Sequence, residues 1–550
     1  MKKRTIISGC IFLSIMLFCL MAMAAYWHKW ETDTPEFLKA YSDYEGTKLD
    51  SCVLCHTGGE YEKNPGEWVA VGSCQWCHRE EVYGYNGTGD VNLTMNPYGR
   101  DYRDNGRNEN AFSFIEGLDS DGDGYSNKQE IDSLHYPGDP NDDPTKLAAP
   151  RITYSISDLE GLPQHKQFLL MNTHRRGDWY AEYEGVTVGD LLQDAGILDS
   201  ATSITVFAPD GFFYTYDLNP GGEYYYVYGT YPQAQFHYEE EADEAFGGWC
   251  DYSAPSCIGR NNGDLITVEG GLKFLLAYKR DGAFLMKGYL DETNRLCYDC
   301  EGPFRAVPPQ MAPSTPDQSV THWNQNVCWP FDENIDHNCG FSCRTVVAIR
   351  VEPLPEGTTD FNWYEGGWDY VDNQEVIVYG AIKSGDLTGK VTDQDTGKAI
   401  AGCKVTTDRG GYSVITDASG DYSVMGMKPD TYTLSVSAAG YDLMTCPGVV
   451  VSEAGTAKQD FALVLTGTSG LWSGATDLGD GWKYLDWFGY FWVDETSPWI
   501  YHNDHGWVYA YGEDTSSVWF YITDMGWIWT SDSVYPWIYI LKGGAWDVWD

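Results

Sequence analysis

Two pentapeptides, Cys52-Val53-Leu54-Cys55-His56 and Cys74-Gln75-Trp76-Cys77-His78, constrain this chain more than any other feature. Each reads C-x-x-C-H, the pattern by which a polypeptide takes up c-type haem covalently. The two thiols form thioethers to the porphyrin, and the adjacent imidazole supplies the proximal nitrogen to iron. Cys52, Cys55, Cys74 and Cys77 are therefore the expected anchors, and His56 and His78 the expected proximal ligands. A zinc knuckle also pairs cysteines, but it does not require His directly after the second one.

Thioether attachment requires export, and the N-terminus agrees. Lys2-Lys3-Arg4 precedes an apolar run from Ile6 to Met21, and Ala22-Met23-Ala24 follows. That is the order of a secretory signal, with cleavage expected after Ala24; an uncleaved anchor is the alternative. No later stretch is apolar for the length of a membrane span. The expected location is the periplasm or outer surface of a bacterium. The formal charge of −46 becomes −49 once the three basic residues leave. Such a surface disfavours nucleic acid and anionic lipid and suits calcium and basic redox partners. Cys10 and Cys19 leave with the signal and four cysteines hold haem, so nine of fifteen remain. In an oxidising compartment most are expected in disulfides, with one left over.

Residues 25–147 have few long apolar runs, so two porphyrins are expected to replace much of an ordinary core. The sixth iron ligand is open: His28 and His135 are the nearby histidines and Met95 the local thioether. A second His would give a low potential, whereas Met would raise it. Downstream, Asp119-Ser120-Asp121-Gly122-Asp123-Gly124-Tyr125-Ser126-Asn127-Lys128-Gln129-Glu130 matches D-x-[DN]-x-[DN]-G-x5-E. Asp119, Asp121, Asp123 and Glu130 offer hard oxygens to calcium, Tyr125 its carbonyl, and Asn127 a direct or water-mediated contact. No EF-hand helix pair is evident, so the loop reads as a structural site.

The two C-x-x-C-H elements, Asn96-Pro97-Tyr98-Gly99-Arg100-Asp101 and the acidic loop together resemble bacterial diheme domains. That resemblance implies one folded unit holding both haems and calcium. Farther on, Tyr183 to Ile197, the strand-like Ile204 to Ala208, Leu272 to Tyr278, Glu301-Gly302-Pro303-Phe304-Arg305 and Val346 to Glu352 follow one another. In this order they resemble the molybdopterin-binding domain of the sulfite oxidase type. The Glu-Gly-Pro-Phe-Arg element also resembles the GEGP-motif diheme proteins, with Cys300 in place of the first Gly. In the molybdopterin family a cysteine thiolate before the Tyr183 element holds the metal. Here Leu169 to Trp179, including His174, Arg175 and Arg176, contains none, which argues against molybdenum.

Leu387 to Leu434 alternates short strands with Gly, Asp and Pro turns, which predicts a β-sandwich. It resembles the carboxypeptidase regulatory-like domain, which implies a spacer or adhesion module; Cys403 and Cys446 are placed to pair. The tail carries a near-repeat at an offset of 37 to 38 residues, Phe488 to Tyr501 echoed by Met525 to Tyr539. It predicts a compact β-module, either with a core of Trp and Tyr or with exposed Trp for carbohydrate or protein docking.

The expected fold is multidomain and mainly β. Its parts are a signal at 1–24, a small α/irregular haem segment at 25–147, a molybdopterin-domain-like β region at 148–355, a linker at 356–384, a β-sandwich at 385–465 and the aromatic module at 466–550. The expected function is electron transfer by an exported diheme cytochrome, a carrier rather than a catalyst. The alternatives are a haem-linked molybdenum oxidoreductase and a surface adhesion protein.

Overall fold

The structure, a computed structural model, describes residues 33–56, 59–64, 67–71, 95–172, 178–219, 226–228, 238, 240–241, 250–290, 296–297, 300–309, 316, 338–465, 471–472, 474–493 and 497–549. The chain is multidomain and mainly β, as its alternating patterns require. Two compact units meet at Lys383/Ser384.

The first unit opens with helix α1 (Asp33–Ala40) and a short 3-10 turn, Cys52–Leu54. Strands β1 (Gly59–Asn64) and β2 (Glu67–Val71) pair antiparallel. Helices α2 (Pro97–Asp104), α3 (Glu109–Ile115) and α4 (Asn127–Asp132) follow. These pieces share an apolar core of their own: Phe37, Leu49, Tyr98, Phe112, Ile115 and Ile131 are fully buried together. Tyr102 and Phe112 stack at 4.1 Å. These side chains give the described part of the segment a small apolar core of its own.

Strands β3 (Leu147–Ala148), β4 (Arg151–Ser155), β5 (Gln164–Met171) and β6 (Trp179–Thr187) come next, with α5 (Ile156–Glu160) between β4 and β5. Helix α6 (Val188–Ala195) is defined locally. Thr187 caps its start by accepting the Asp190 N–H, and Gly196 at φ 82° ends it. Its Leu191 and Leu192 are fully buried. The unit then adds β7 (Ser203–Phe207), β8 (Phe213–Asp217), β9 (Leu275–Arg280), β10 (Ala283–Phe284), β11 (Arg305–Val307), β12 (Ala348–Glu352), β13 (Thr358–Thr359), α7 (Gly367–Asn373) and β14 (Glu375–Gly380).

Two sheets result. One runs β10-β9-β6-β5 with β11 also on β9; the other contains β4-β14-β12-β7-β8 in order. The predicted linker is the main correction. β14 sits between β4 and β12, antiparallel to the first and parallel to the second. Val376 and Val378 enter the core shared with α6, whereas Ile377 and Tyr379 face Trp363 and Val371 on the other side. Residues 356–384 are therefore the centre and one cover of this sheet. The boundary expected at 147/148 is no division either. Lys48, 1% exposed, donates from Nζ to Thr359 Oγ1 at 2.7 Å and to the Asp360 carbonyl at 3.2 Å, and its N–H reaches Asn362 Oδ1.

Glu301 and Arg305 of the Glu-Gly-Pro-Phe-Arg element form a buried network. Arg305 Nη1 lies 3.0 Å from Glu301 Oε2, Arg280 Nη1 lies 2.6 Å from Oε1, and the Tyr183 hydroxyl donates to Oε2 at 2.8 Å. A buried charge needs such partners.

In the second unit, β15 (Gly385–Asp393), β16 (Lys404–Thr407), β17 (Ser413–Ile415), β18 (Asp421–Met427), β19 (Asp430–Ser437), β20 (Met444–Val451), β21 (Thr456–Lys458) and β22 (Phe461–Leu463) form the β-sandwich. β15 pairs with β18, β21 and β22; the facing sheet runs β17-β16-β19-β20. β15 alternates buried and half-buried residues throughout its nine positions, the mark of a strand with one covered face. Cys403 and Cys446 are not bonded to each other. Among the described residues the disulfide is Cys297–Cys300.

The tail is a nine-stranded antiparallel meander: β23 (Thr476–Gly479), β24 (Trp482–Leu485), β25 (Gly489–Val493), β26 (Trp499–His502), β27 (Gly506–Asp514), β28 (Ser517–Ile522), β29 (Gly526–Ser531), β30 (Trp537–Ile540) and β31 (Ala545–Val548), each paired with the next. The near-repeat is β25-β26 against β29-β30, four strands per period. The expected Trp and Tyr core is mostly inverted. Phe491, Ile500, Val508, Val518, Phe520 and Ile528 are the buried alternates. Phe488 stacks on Phe520 at 5.0 Å, so strands distant in the meander meet through this face. The intervening Trp and Tyr side chains occupy the opposite face.

Candidate functional site

The first C-x-x-C-H motif is held from outside. Cys52–Leu54 form one 3-10 turn, and Cys55 and His56 follow, both half-buried. The Cys55 carbonyl accepts the Asn96 N–H at 2.9 Å. The Asn96 side chain then serves twice. Its Oδ1 caps α2 by accepting the Gly99 N–H at 2.8 Å, with Pro97 at the first helical position, and its Nδ2 donates to the Leu54 carbonyl at 3.0 Å. Gly99 allows the contact: a Cβ there would stand 2.3 Å from the Cys55 oxygen. Gly138 backs Asn96 in the same way, with a Cβ position 2.5 Å from its Cγ. Arg100 Nη1 ties down the Met95 carbonyl at 2.7 Å. A cleft of about 460 Å³ opens beside this loop, lined by Val53, Asn96, Tyr136, Lys146 and Arg350 among others.

Asn96 was not foreseen as a functional residue, although N-P-x-G is a legible helix start. Its two bonds separate by substitution. Asn96→Asp keeps the cap and loses only the donation to Leu54; Asn96→Ala loses both and should cost about 1–2 kcal/mol. Thermal denaturation of the two variants checks this, with the aspartate expected between wild type and alanine.

The acidic loop is the second element. Asp119, Asp121 and Asp123 bring ligand oxygens within 4.8 Å of one another. Asp119 Oδ1 accepts the Gly122 N–H at 2.7 Å and Oδ2 the Gly124 N–H at 3.0 Å, and Asp123 Oδ1 accepts the Tyr125 N–H at 2.8 Å. Gly122 and Gly124 take φ of 86° and 104°, which favours glycine. Glu130 is fully buried, and neither of its carboxylate oxygens has a hydrogen-bond partner; Asp121 Oδ2 and Asp123 Oδ2 are orphaned in the same way. Burial, then the charges of Asp121 and Asp123, pushes Glu130 up to about 9. Burial and Asp123 likewise raise Asp121 to about 6. Four orphaned acidic oxygens in and beside one turn fit a hard divalent cation.

One expectation is corrected here. Short helices do flank the loop, α3 before and α4 after. Asn127 is engaged within the protein: its Oδ1 accepts the Ser120 N–H at 3.2 Å, and its Nδ2 donates to the Ile115 carbonyl at 2.7 Å and to Ser120 Oγ at 2.9 Å. It clamps the loop to the end of α3.

Among the candidate sixth ligands, His135 is buried, with Nδ1 2.6 Å from Asp142 Oδ1. Met95 is buried and bridges His56 backbone to backbone in antiparallel register. Such partners stand about 4.5–5.5 Å apart at Cα. Met95 is therefore a backbone neighbour of His56. His28, Cys74, Cys77, His78, His174, Arg175 and Arg176 lie outside the described residues. Among the described residues no helix is long and apolar enough to cross a membrane.

Residues 386–464 match the carboxypeptidase regulatory-like domain, and they coincide with β15 to β22. No curated protein matches the chain. Solved structures overlap it in small part. A cohesin–X-dockerin complex of Acetivibrio cellulolyticus aligns at 17% identity, over 15% of this chain and 56% of that one, with a TM-score of 0.13. A membrane-associated protein of unknown function from Bacteroides fragilis aligns at 24% over 16% and 29%, TM-score 0.13. The minor pilin GBS52 of Streptococcus agalactiae aligns at 20% over 18% and 51%, TM-score 0.14. This chain thus covers at most about half the length of those proteins, and overlaps of this size carry no functional argument.

Proposed function

We propose that this protein is an exported diheme c-type cytochrome that carries single electrons, its haem segment braced by calcium. The observation that carries the reading is the first C-x-x-C-H loop, whose backbone is fixed by Asn96 and by the close approach of Gly99 before any cofactor is considered. A loop with two reactive thiols and an imidazole gains from being held in one geometry.

When bound at Cys52, Cys55 and His56, haem supplies reversible one-electron Fe(III)/Fe(II) chemistry. The chain's own groups position it. Asp142 engages Nδ1 of His135 and leaves Nε2 as the nitrogen for a sixth-ligand role; a carboxylate on the far nitrogen also makes an imidazole a stronger ligand. Asp142 is itself held below the ordinary carboxylate range. Burial works against that, and His135 and Lys48 outweigh it. The acidic surface favours basic redox partners.

A reduced-minus-oxidised optical spectrum with redox titration tests the reading. The expected result is covalently retained haem at two per chain, with a low potential where His135 serves as sixth ligand. Material that loses all porphyrin on denaturation would rule the proposal out.

A further inference from the structure

From the tail we infer a second function that does not depend on haem: the exposed face of the meander binds a neutral, extended polysaccharide. Cross-strand register gathers the rings into rows. Trp492 lies opposite Tyr501 and Tyr501 opposite Trp507; four strands on, Trp519, Trp529, Tyr539 and Trp546 repeat the arrangement. From β25 to β29 this face is mostly Trp and Tyr, with Ser517 and Asp514 paired at one end. An apolar protein interface draws also on aliphatic residues, yet here Val, Ile, Phe and Ala are confined to the buried side. Rings with an apolar face and a polar rim suit a ligand that has C–H faces and hydroxyl edges, which is a sugar.

The spacing supports a polymer. Adjacent strands repeat every 4.8 Å or so, close to the length of one hexose in an extended chain. Rings on alternate strands meet nearly edge to face, at 85° for Trp492 and Trp507 and 77° for Trp529 and Trp546. A periodic surface fits a periodic ligand. Some rings are also held before binding: Trp492 Nε1 donates to the Asp480 carbonyl at 3.0 Å and Trp529 Nε1 to Ser517 Oγ at 2.9 Å. Pre-set rings lose less entropy on binding.

Charge selects among occupants. Residues 466–550 hold Lys483 and Lys542 against twelve acidic side chains. Anionic lipid, an acidic polymer and a second copy of this chain are all repelled by that balance, whereas an uncharged glycan is not.

Affinity electrophoresis of the full-length holo-protein through gels containing hydroxyethylcellulose or glycol chitin tests the inference. Retardation by at least one polymer is expected. Trp507 and Trp546 are 57% and 52% exposed, so W507A/W546A removes rings without touching the core. That double variant should weaken retardation about tenfold, with haem absorbance and Tm unchanged. No retardation in either gel, or equal retardation of the variant, overturns the inference. So does co-sedimentation with phosphatidylglycerol vesicles, or self-association in sedimentation velocity, that the double variant abolishes. Haem loading is measured separately, so loss of one function leaves the other to be judged alone.

Discussion

Stripping calcium from the holo-protein with a chelator should lower its Tm, and the deficit should widen as pH rises from about 4.5 towards 9. Without the ion Glu130 titrates near 9 in the folded chain and at its ordinary 4.5 in the unfolded one. Below 4.5 the carboxyl is protonated in both states and costs nothing. Above that pH the unfolded state ionises freely while the folded state must keep its proton, so stability falls until the folded group also ionises. At pH 7 this amounts to on the order of 3 kcal/mol. Asp121, raised to about 6, adds to the loss in the lower part of the window. A bound cation reverses the balance by pairing the ionised carboxylates. The check is a set of melting curves at pH 5 and pH 8, with and without chelator. Under chelator Glu130→Gln should show a much smaller drop between pH 5 and pH 8, the part left by Asp121, and a weaker response to calcium. A Tm indifferent to the chelator at both values would show that the acidic turn holds no structural ion.

Gly99→Ala should remove haem from the first motif. The added methyl would meet the Cys55 carbonyl oxygen at 2.3 Å and its carbon at 3.1 Å. Both are backbone atoms of the attachment loop, so no rotamer relieves the clash; the loop or α2 must shift. Forcing a methyl group into such a contact costs about 3 kcal/mol. The displacement falls on the residue that must present its thiol for ligation. The expected readout is Soret absorbance per chain cut to about half of wild type, with one haem retained on the denatured polypeptide. Gly138→Ala is the informative comparison. Its clash, at 2.5 Å, is with the Asn96 side chain, which can turn away at the expense of the α2 cap. It should lower Tm and leave haem loading largely intact. Full loading of Gly99→Ala at an unchanged Tm would show that this contact does not organise the motif.

Features set by neighbouring residues were readable in advance. The acidic turn is one, since Asp at alternate positions and Gly at the bends leave the backbone few choices. The sandwich is another, because β15 alternates along its whole length. Other features depend on partners far along the chain. Residues 356–384 look like a linker because they open on Pro355, Glu356 and Gly357. Within them, Val376-Ile377-Val378-Tyr379 is a strand buried on both faces, which shows no alternation to distinguish it. Asn127 occupies a ligand position by count, and only the Ile115 carbonyl above it shows that its amide is already engaged. In the tail the composition was plain and the facing was not. A period of two says that Trp and Val lie on opposite sides, but not which side is closed. The covered side holds Val, Ile, Ala and Phe together with Trp472 and Trp549, and most of the other large rings lie on the opposite side.

Lys48 finds its hydroxyl partner, Thr359, 311 residues downstream. Its nearer partner, Asp142, lies 94 residues on, at 3.6 Å, so the site around Lys48 is complete only when residues up to Thr359 and Asp360 are present. On the function proposed above, the Cys52 segment would be open to ligation before that point, and the docking of Lys48 would then close over it.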